Sequence, residues 1–235
     1  MSEPYLRHAV AWSFEESSSH VALKARPRPR KPVEYIVKKS PAQMAICAKF
    51  SVRAPSLTEF VTETPWEQLH LMPAGPELDE LHGKLESRYK IYKLRDALLP
   101  LADDYDEIWI DTPPALNFYT RSALIAAQGC LIPFDCDDFS RRALYGLLET
   151  VEEIRADHAP ELSVEGIVVN QFQARASLPQ RVVQELLDEG LPVLEPYLSS
   201  SVKVKESHEL ARPMIHLEPR HKLTQELVAL YEALG

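Results

Sequence analysis

The chain has 235 residues, 45% of them apolar and 26% charged, with a formal net charge of −9. That is enough chain to bury a core, and the balance excludes collagen, wholesale disorder and, with 3 cysteines, a disulfide scaffold. The longest apolar stretch, near Ala123–Phe134, is broken by Gln128, Gly129 and Pro133 and falls short of the roughly 18–20 residues that span a membrane.

Charge and glycine are unevenly placed. Residues 1–54 carry 10 Lys+Arg against 4 Asp+Glu, and residues 55–235 carry 16 against 31. There are 7 glycines against 19 prolines, and the first glycine is Gly75. Residues 1–54 therefore read as an atypical basic Pro/Arg-rich segment, disordered or misfolded, and residues 55–235 as an α/β domain. Lys24–Lys31 (KARPRPRK) alternates proline with cations, which forbids helix and favours a solvated extended arm. Val33–Val37 and Met44–Phe50 are the apolar runs within this segment. No basic-then-apolar signal opens the chain, so a cytoplasmic setting is expected.

From Ser56 the pattern becomes regular. Ser56–Glu59 has the form of a helix capping box, and Leu69–Pro73 reads as a strand. Glu77–Leu101 carries apolar residues at three- and four-residue spacing (Leu85, Tyr89 and Tyr92 among them) and predicts one long amphipathic helix. A strand follows at Glu107–Ile110, then a helix near Phe118–Ala127 and a buried strand at Cys130–Phe134. Next come a helix near Ser140–Arg155, a strand at Val164–Asn170, a helix at Pro179–Glu189, a strand at Val193–Tyr197 and a helix near Lys222–Leu234. Strands that are continuous apolar runs, alternating with helices, predict a mostly parallel, doubly wound α/β sheet with helices on both faces.

In such sheets ligands bind beyond the carboxyl ends of the strands. Three ends stand out: Asp111, followed by Pro113 and Pro114; Asp135; and Asn170. A carboxylate at a strand end can hold Mg²⁺, and an amide can read a nucleobase edge; each also commonly caps a turn. His208, His216 and His221 match no compact zinc spacing, and Cys130 and Cys136 are no C-x-x-C pair, so both groups read as structural. Ser199–Ser201 reads as a turn.

Taken in order, Asp106–Pro114 (DEIWIDTPP), Ala123–Phe134, Gly166–Ala176 (GIVVNQFQARA), Ser201–Glu206 and Pro213–Glu226 resemble the C-terminal two-thirds of ParA-type partitioning ATPases, a P-loop family with a deviant phosphate loop. The resemblance implies use of ATP and Mg²⁺, non-specific DNA binding, a ParB-like or cargo-adaptor partner, a homodimer, and nucleoid association in the cytoplasm without a membrane. By resemblance, Asp111 is the acidic residue near Mg²⁺, Pro113 belongs to the turn beside the nucleotide, and Asn170 faces adenine. Lys203, Lys205, Arg220 and Lys222 stand where relatives touch DNA.

One element of the family is missing. Its KGGVGKT-type loop should follow the first strand, yet no glycine precedes Gly75, and Gly83-Lys84 is followed by Leu85. A phosphate loop needs glycines because its backbone curls N–H groups around the anion. The expected nucleotide site is thus incomplete, with the first strand and loop missing or replaced, and ATP binding and turnover are doubtful. The alternatives are a non-catalytic ParA-like binding protein and, more remotely, an enzyme of the cobyrinate or dethiobiotin synthase type.

Overall fold

The computed structural model describes residues 7–12, 20–25, 61–73, 90–101, 104–113 and 115–234. The chain divides into two compact units, one of residues 1–130 and 150–163, the other of residues 131–149 and 164–235.

The first unit contains β1 (Arg7–Trp12), β2 (His20–Ala25), β3 (Thr62–Glu63), β4 (Leu69–Pro73) and β5 (Tyr105–Thr112), side by side in the order β3-β4-β2-β5-β1. β1 runs parallel to β5, from Arg7 opposite Glu107 to Trp12 opposite Thr112. On its other edge β5 pairs antiparallel with β2, which pairs antiparallel with β4, and β4 with β3. β2 and β3 therefore run against the other three strands, an antiparallel insertion in an α/β fold.

Two of these strands, β1 and β2, fall within residues 1–54, the segment that composition sets apart. The physical reason they form is the demand of β5, whose buried backbone N–H and C=O groups need partners on both edges. Val33–Val37, Met44–Phe50, Ser56–Glu59, Leu85, Tyr89 and the cations from Arg26 to Lys31 lie outside the described residues.

β5 buries Ile108, Ile110 and Thr112, the alternation of a strand with one well-covered face, and Tyr105 is buried at its start. The long helix expected over Glu77–Leu101 is described only from Lys90, and there a turn precedes α1 (Lys93–Leu98) and the single 3₁₀ turn Leu99–Leu101. Tyr92 is correspondingly no core residue: it is half-buried, its hydroxyl lies 2.7 Å from His158 Nδ1, and the Arg95 guanidinium sits 4.7 Å from its ring centre. Helix α2 (Phe118–Ala126) packs on α1 and touches β5 and β1. It starts where Asn117 Oδ1 accepts the amides of Tyr119 and Thr120 at 2.9 and 3.2 Å, satisfying two of the orphan donors of a first turn.

β6 (Gly129–Asp135) and α3 (Asp138–Asp157) each begin in one unit and end in the other. In the second unit β6, β7 (Ser163–Asn170) and β8 (Val193–Leu194) lie in that order, with β7 and β8 parallel and Ile167 opposite Val193. α4 (Ser177–Asp188) touches β8 and buries Val182, Val183 and Leu186. Arg141 of α3 reaches across to Glu185 and Glu189 of α4. Three further helices close the chain: α5 (Lys203–Glu209), α6 (Met214–Leu217) and α7 (Lys222–Ala233). Leu198, Leu223 and Leu230 form a buried cluster, with Val168, Leu194 and Val204 packed against it.

Candidate functional site

In the first unit, Asp111 is the penultimate residue of β5, half-buried and opposite Ala11 of β1. The chain then folds tightly. The Ala115 amide donates to the Pro113 carbonyl at 2.7 Å, and the Ala115 carbonyl accepts the Asn117 amide at 2.8 Å and the Thr120 hydroxyl at 2.6 Å. This strand–turn–helix corner places Asp111 and Pro113 at the carboxyl end of β5; Pro114 lies outside the described residues. The strand beside it, β1, is followed in the sequence by Ser13–Ser19 (SFEESSS), which holds two glutamates and neither glycine nor lysine.

In the second unit, the ends of β6 and β7 come together. The Asn170 side chain hydrogen-bonds Asp135, and Gln171 Nε2 donates to Asp135 Oδ2 at 3.4 Å from a left-handed backbone (φ 50). Asp135 Oδ1 is buried without a hydrogen-bond partner. Burial raises the Asp135 carboxyl above its ordinary value, Asn170 pulls it down, and the nearby Asp137 raises it again. Asp135 is acceptor-only when ionised, so it draws the NH₂ of Asn170 toward itself. Cys136 follows directly, its thiol pushed up to about 11 by burial and by Asp135 and Asp137. Asp137 Oδ1 accepts the Ser140 amide at 2.7 Å and so starts α3.

The four cations matched to DNA contacts lie on or between the last three helices, and they are not equivalent. Lys203 opens α5; its ammonium is 2.7 Å from Glu206 and 3.5 Å from Glu218, and these carboxylates raise its pKa. Lys222 opens α7; its ammonium donates to Ser199 Oγ at 2.8 Å and pairs with Glu226 at 3.1 Å. Glu226 also accepts the amide and hydroxyl of Ser199, both at 2.8 Å. Burial pushes the Glu226 carboxyl up, but the Ser199 donors and Lys222 outweigh it and hold the group below its ordinary value. Lys205 on α5 and Arg220 in the turn before α7 are exposed, and neither side chain has an ion pair or hydrogen bond among the described residues.

One hub ties these pieces together. His221 Nδ1 accepts the Leu223 amide at 3.1 Å and caps α7, and its Nε2 lies 3.4 Å from Ser201 Oγ. Ser201 Oγ in turn accepts the Lys203 amide at 3.1 Å. His221 is thus a structural cap, and the Ser199–Ser201 turn is a pinned one. Residues 199–235 hold 5 Lys+Arg against 5 Asp+Glu, a neutral segment in a chain of −9. Sequence reasoning named the four cations and missed Glu218, Glu226 and Ser199; only the i,i+4 spacing of Lys222 and Glu226 signals one of these pairings.

Among the described residues, no helix is long and apolar enough to cross a membrane. A family model described as an AAA domain matches residues 32–164, starting inside the segment set apart by composition. The chain is 32% identical over 176 residues to the chromosome partitioning protein ParA of Myxococcus xanthus, covering 74% of this chain and 62% of that protein. It is 30% identical over 176 residues to the chromosome-partitioning ATPase Soj of Treponema pallidum, covering 71% and 69%. The chain thus spans under two thirds of the length of the first relative. Its fold is similar to that of apo McdA from Cyanothece, with a TM-score of 0.73 at 21% identity over 86% of this chain and 81% of that one.

Proposed function

The chain belongs to the ParA family of partitioning ATPases, and from that premise we propose that it serves chromosome or plasmid partitioning, or cargo positioning, by holding DNA non-specifically through residues 199–222. The observation that carries this reading is the pair of exposed cations Lys205 and Arg220, neither with a side-chain partner among the described residues, in a neutral segment of an acidic chain. An acidic protein meets a polyanion only where local cations neutralise phosphates. A ParB-like or cargo-adaptor partner and a homodimer belong to the same reading.

The nucleotide site is the part of the family pattern that this chain does not match. β1 is the parallel neighbour of β5, the strand that carries Asp111 near its carboxyl end, which is where a P-loop fold launches its phosphate loop. The sequence that follows β1 offers Glu15 and Glu16 where a triphosphate needs backbone donors and a lysine. Asp111 suits a Mg²⁺ ion, but a lone carboxylate without the glycine loop does not hold Mg·ATP. The residues present therefore do not fit the triphosphate, and DNA binding proceeds without it.

The test is fluorescence anisotropy of a labelled random-sequence duplex with the purified chain, with and without Mg·ATP, alongside a turnover assay. The expected result is equal binding in both conditions and no phosphate release, with Asp111→Ala unchanged in each. DNA binding that requires Mg·ATP, or release of phosphate that Asp111→Ala abolishes, overturns the incomplete-site reading and restores an ATPase.

A further inference from the structure

The four cations of the proposed DNA surface divide into two open and two occupied, and the occupying groups are all carboxylates or a serine of the same segment. Lys205 and Arg220 face solvent with no partner among the described residues. Lys222 is held by Ser199 and by Glu226, whose side chain is 11% exposed and which makes two further hydrogen bonds to Ser199. That pair is anchored on the buried side. Lys203 is held differently: Glu206 and Glu218, 48% and 45% exposed, grip it from its own helix and from the end of α6. Neither carboxylate has another side-chain partner among the described residues, so both are free to exchange the ammonium for a phosphate.

We infer that Glu206 and Glu218 form an internal anion clamp on Lys203, competing with nucleic-acid phosphates and keeping this chain a weak DNA binder with two engaged cations instead of three. The clamp rests on the DNA reading of the same surface. Its chemistry is mimicry: carboxylate oxygens occupy the ammonium as the anionic oxygens of a phosphodiester would, with two negative charges where one phosphodiester brings one. Because exposed ion pairs contribute little to stability, the clamp opens at small cost when a denser polyanion competes, and the acidic side chains set how much phosphate density is required.

Salt dependence reads the number of engaged cations. Each neutralised phosphate on duplex DNA contributes about −0.9 to the slope of log K against log salt. Two open cations predict a slope of about −1.8 per bound chain, and a third predicts about −2.7. Between 50 and 200 mM salt these slopes correspond to losses of about twelvefold and about fortyfold in affinity.

The experiment compares the full chain, the Glu206→Gln/Glu218→Gln variant, and the same variant carrying Lys203→Gln, each titrated with a labelled duplex over 50–200 mM salt. Expected are a steeper slope and about threefold to tenfold tighter binding at 50 mM for the double variant, both cancelled in the triple variant. If the parent binds DNA and the double variant matches it, there is no clamp. If the gain survives in the triple variant, the carboxylates act through their general field and not on Lys203, and the inference is again wrong. If none of the three binds DNA, the underlying DNA reading fails instead. All three substituted residues are exposed or half-exposed, and a shared thermal midpoint confirms that the variants are folded.

Discussion

Gly166→Ala probes the close approach of β7 to β8. A Cβ on Gly166 would stand 2.3 Å from both Cγ and Cδ1 of Leu194 and 2.8 Å from its Cδ2. Carbon atoms rest at about 3.5–4.0 Å, so Leu194 must withdraw by more than about 1 Å. Its branch point, and not only a mobile tip, is in the way. Leu194 lies against Leu198, Leu223 and Leu230, so withdrawal costs contacts in that cluster as well. Overpacking of this kind costs about 1–3 kcal/mol, and replacing a strand glycine recovers about 0.5–1 kcal/mol of backbone entropy. At mid-range the net loss is about 1.3 kcal/mol, which for a chain of this size lowers Tm by about 3–5 °C. Thermal unfolding followed by far-UV circular dichroism measures it. Leu194→Ala alone also destabilises by losing its contacts, yet in the double variant the new methyl finds the space empty. Gly166→Ala/Leu194→Ala should therefore be no less stable than Leu194→Ala, a coupling of about 1 kcal/mol or more. Additive losses, or an unshifted Tm for Gly166→Ala, would refute the close approach.

Two further outcomes follow from the titrating groups. Glu226 has its folded-state pKa below the unfolded value of 4.5, so its contribution is present above that pH and is lost as pH falls through the folded value. Glu226→Gln should thus lower Tm at pH 7 and converge with the parent in acid; parallel curves from pH 7 to pH 3 would show that the Ser199–Lys222 contacts contribute nothing. The thiols of Cys130 and Cys136 are pushed up to about 12 and about 11, the first by burial, the second by burial and by Asp135 and Asp137. At pH 8 both should react with iodoacetamide far more slowly than a free thiol, and mass mapping of a carboxamidomethyl group on either within minutes would contradict their surroundings.

The interior of the sheet was legible because its strands carry apolar runs, Ile108–Ile110, Leu131–Phe134 and Ile167–Val169. β6 and β7 fall within a residue of the runs that predict them, and β5 extends the predicted run by two residues at each end. α4 and α7 are likewise marked by their spacing. β1 (RHAVAW) and β2 (HVALKA) were not, since each is only six residues long, neither alternates cleanly, and no glycine or paired turn residues frame them. What makes them strands is the unsatisfied edge of β5, far along the chain and invisible to any local window. α5 and α6 have the opposite difficulty. They are seven and four residues long, below the length at which periodicity speaks, and Ala211 sits between them with φ 47. Tertiary contacts with α7, such as the Thr224 hydroxyl on the Glu218 carbonyl at 2.8 Å, hold them instead.

At the site, sequence supplied residue types and the fold supplied their occupancy. Lys203 and Lys222 carry the same charge as Lys205 and Arg220, and nothing local says that Glu218, fifteen positions after Lys203, competes for it. That distinction matters more in an acidic chain than in a basic one. At physiological salt the Debye length is about 8 Å, so the net charge of −9 repels DNA only at short range, and the cations act only near contact. Added salt then weakens attraction at the cations and repulsion from the remaining carboxylates together, flattening the apparent slope below the count of engaged cations. The absolute slope of the parent chain is accordingly a lower bound on its contacts. The difference between variants at matched salt cancels the shared background, apart from the two charges removed. Adding Lys203→Gln to the pair takes the cation away and keeps those two charges removed, which is why the triple variant, and not the parent, decides whether the clamp acts on that one ammonium.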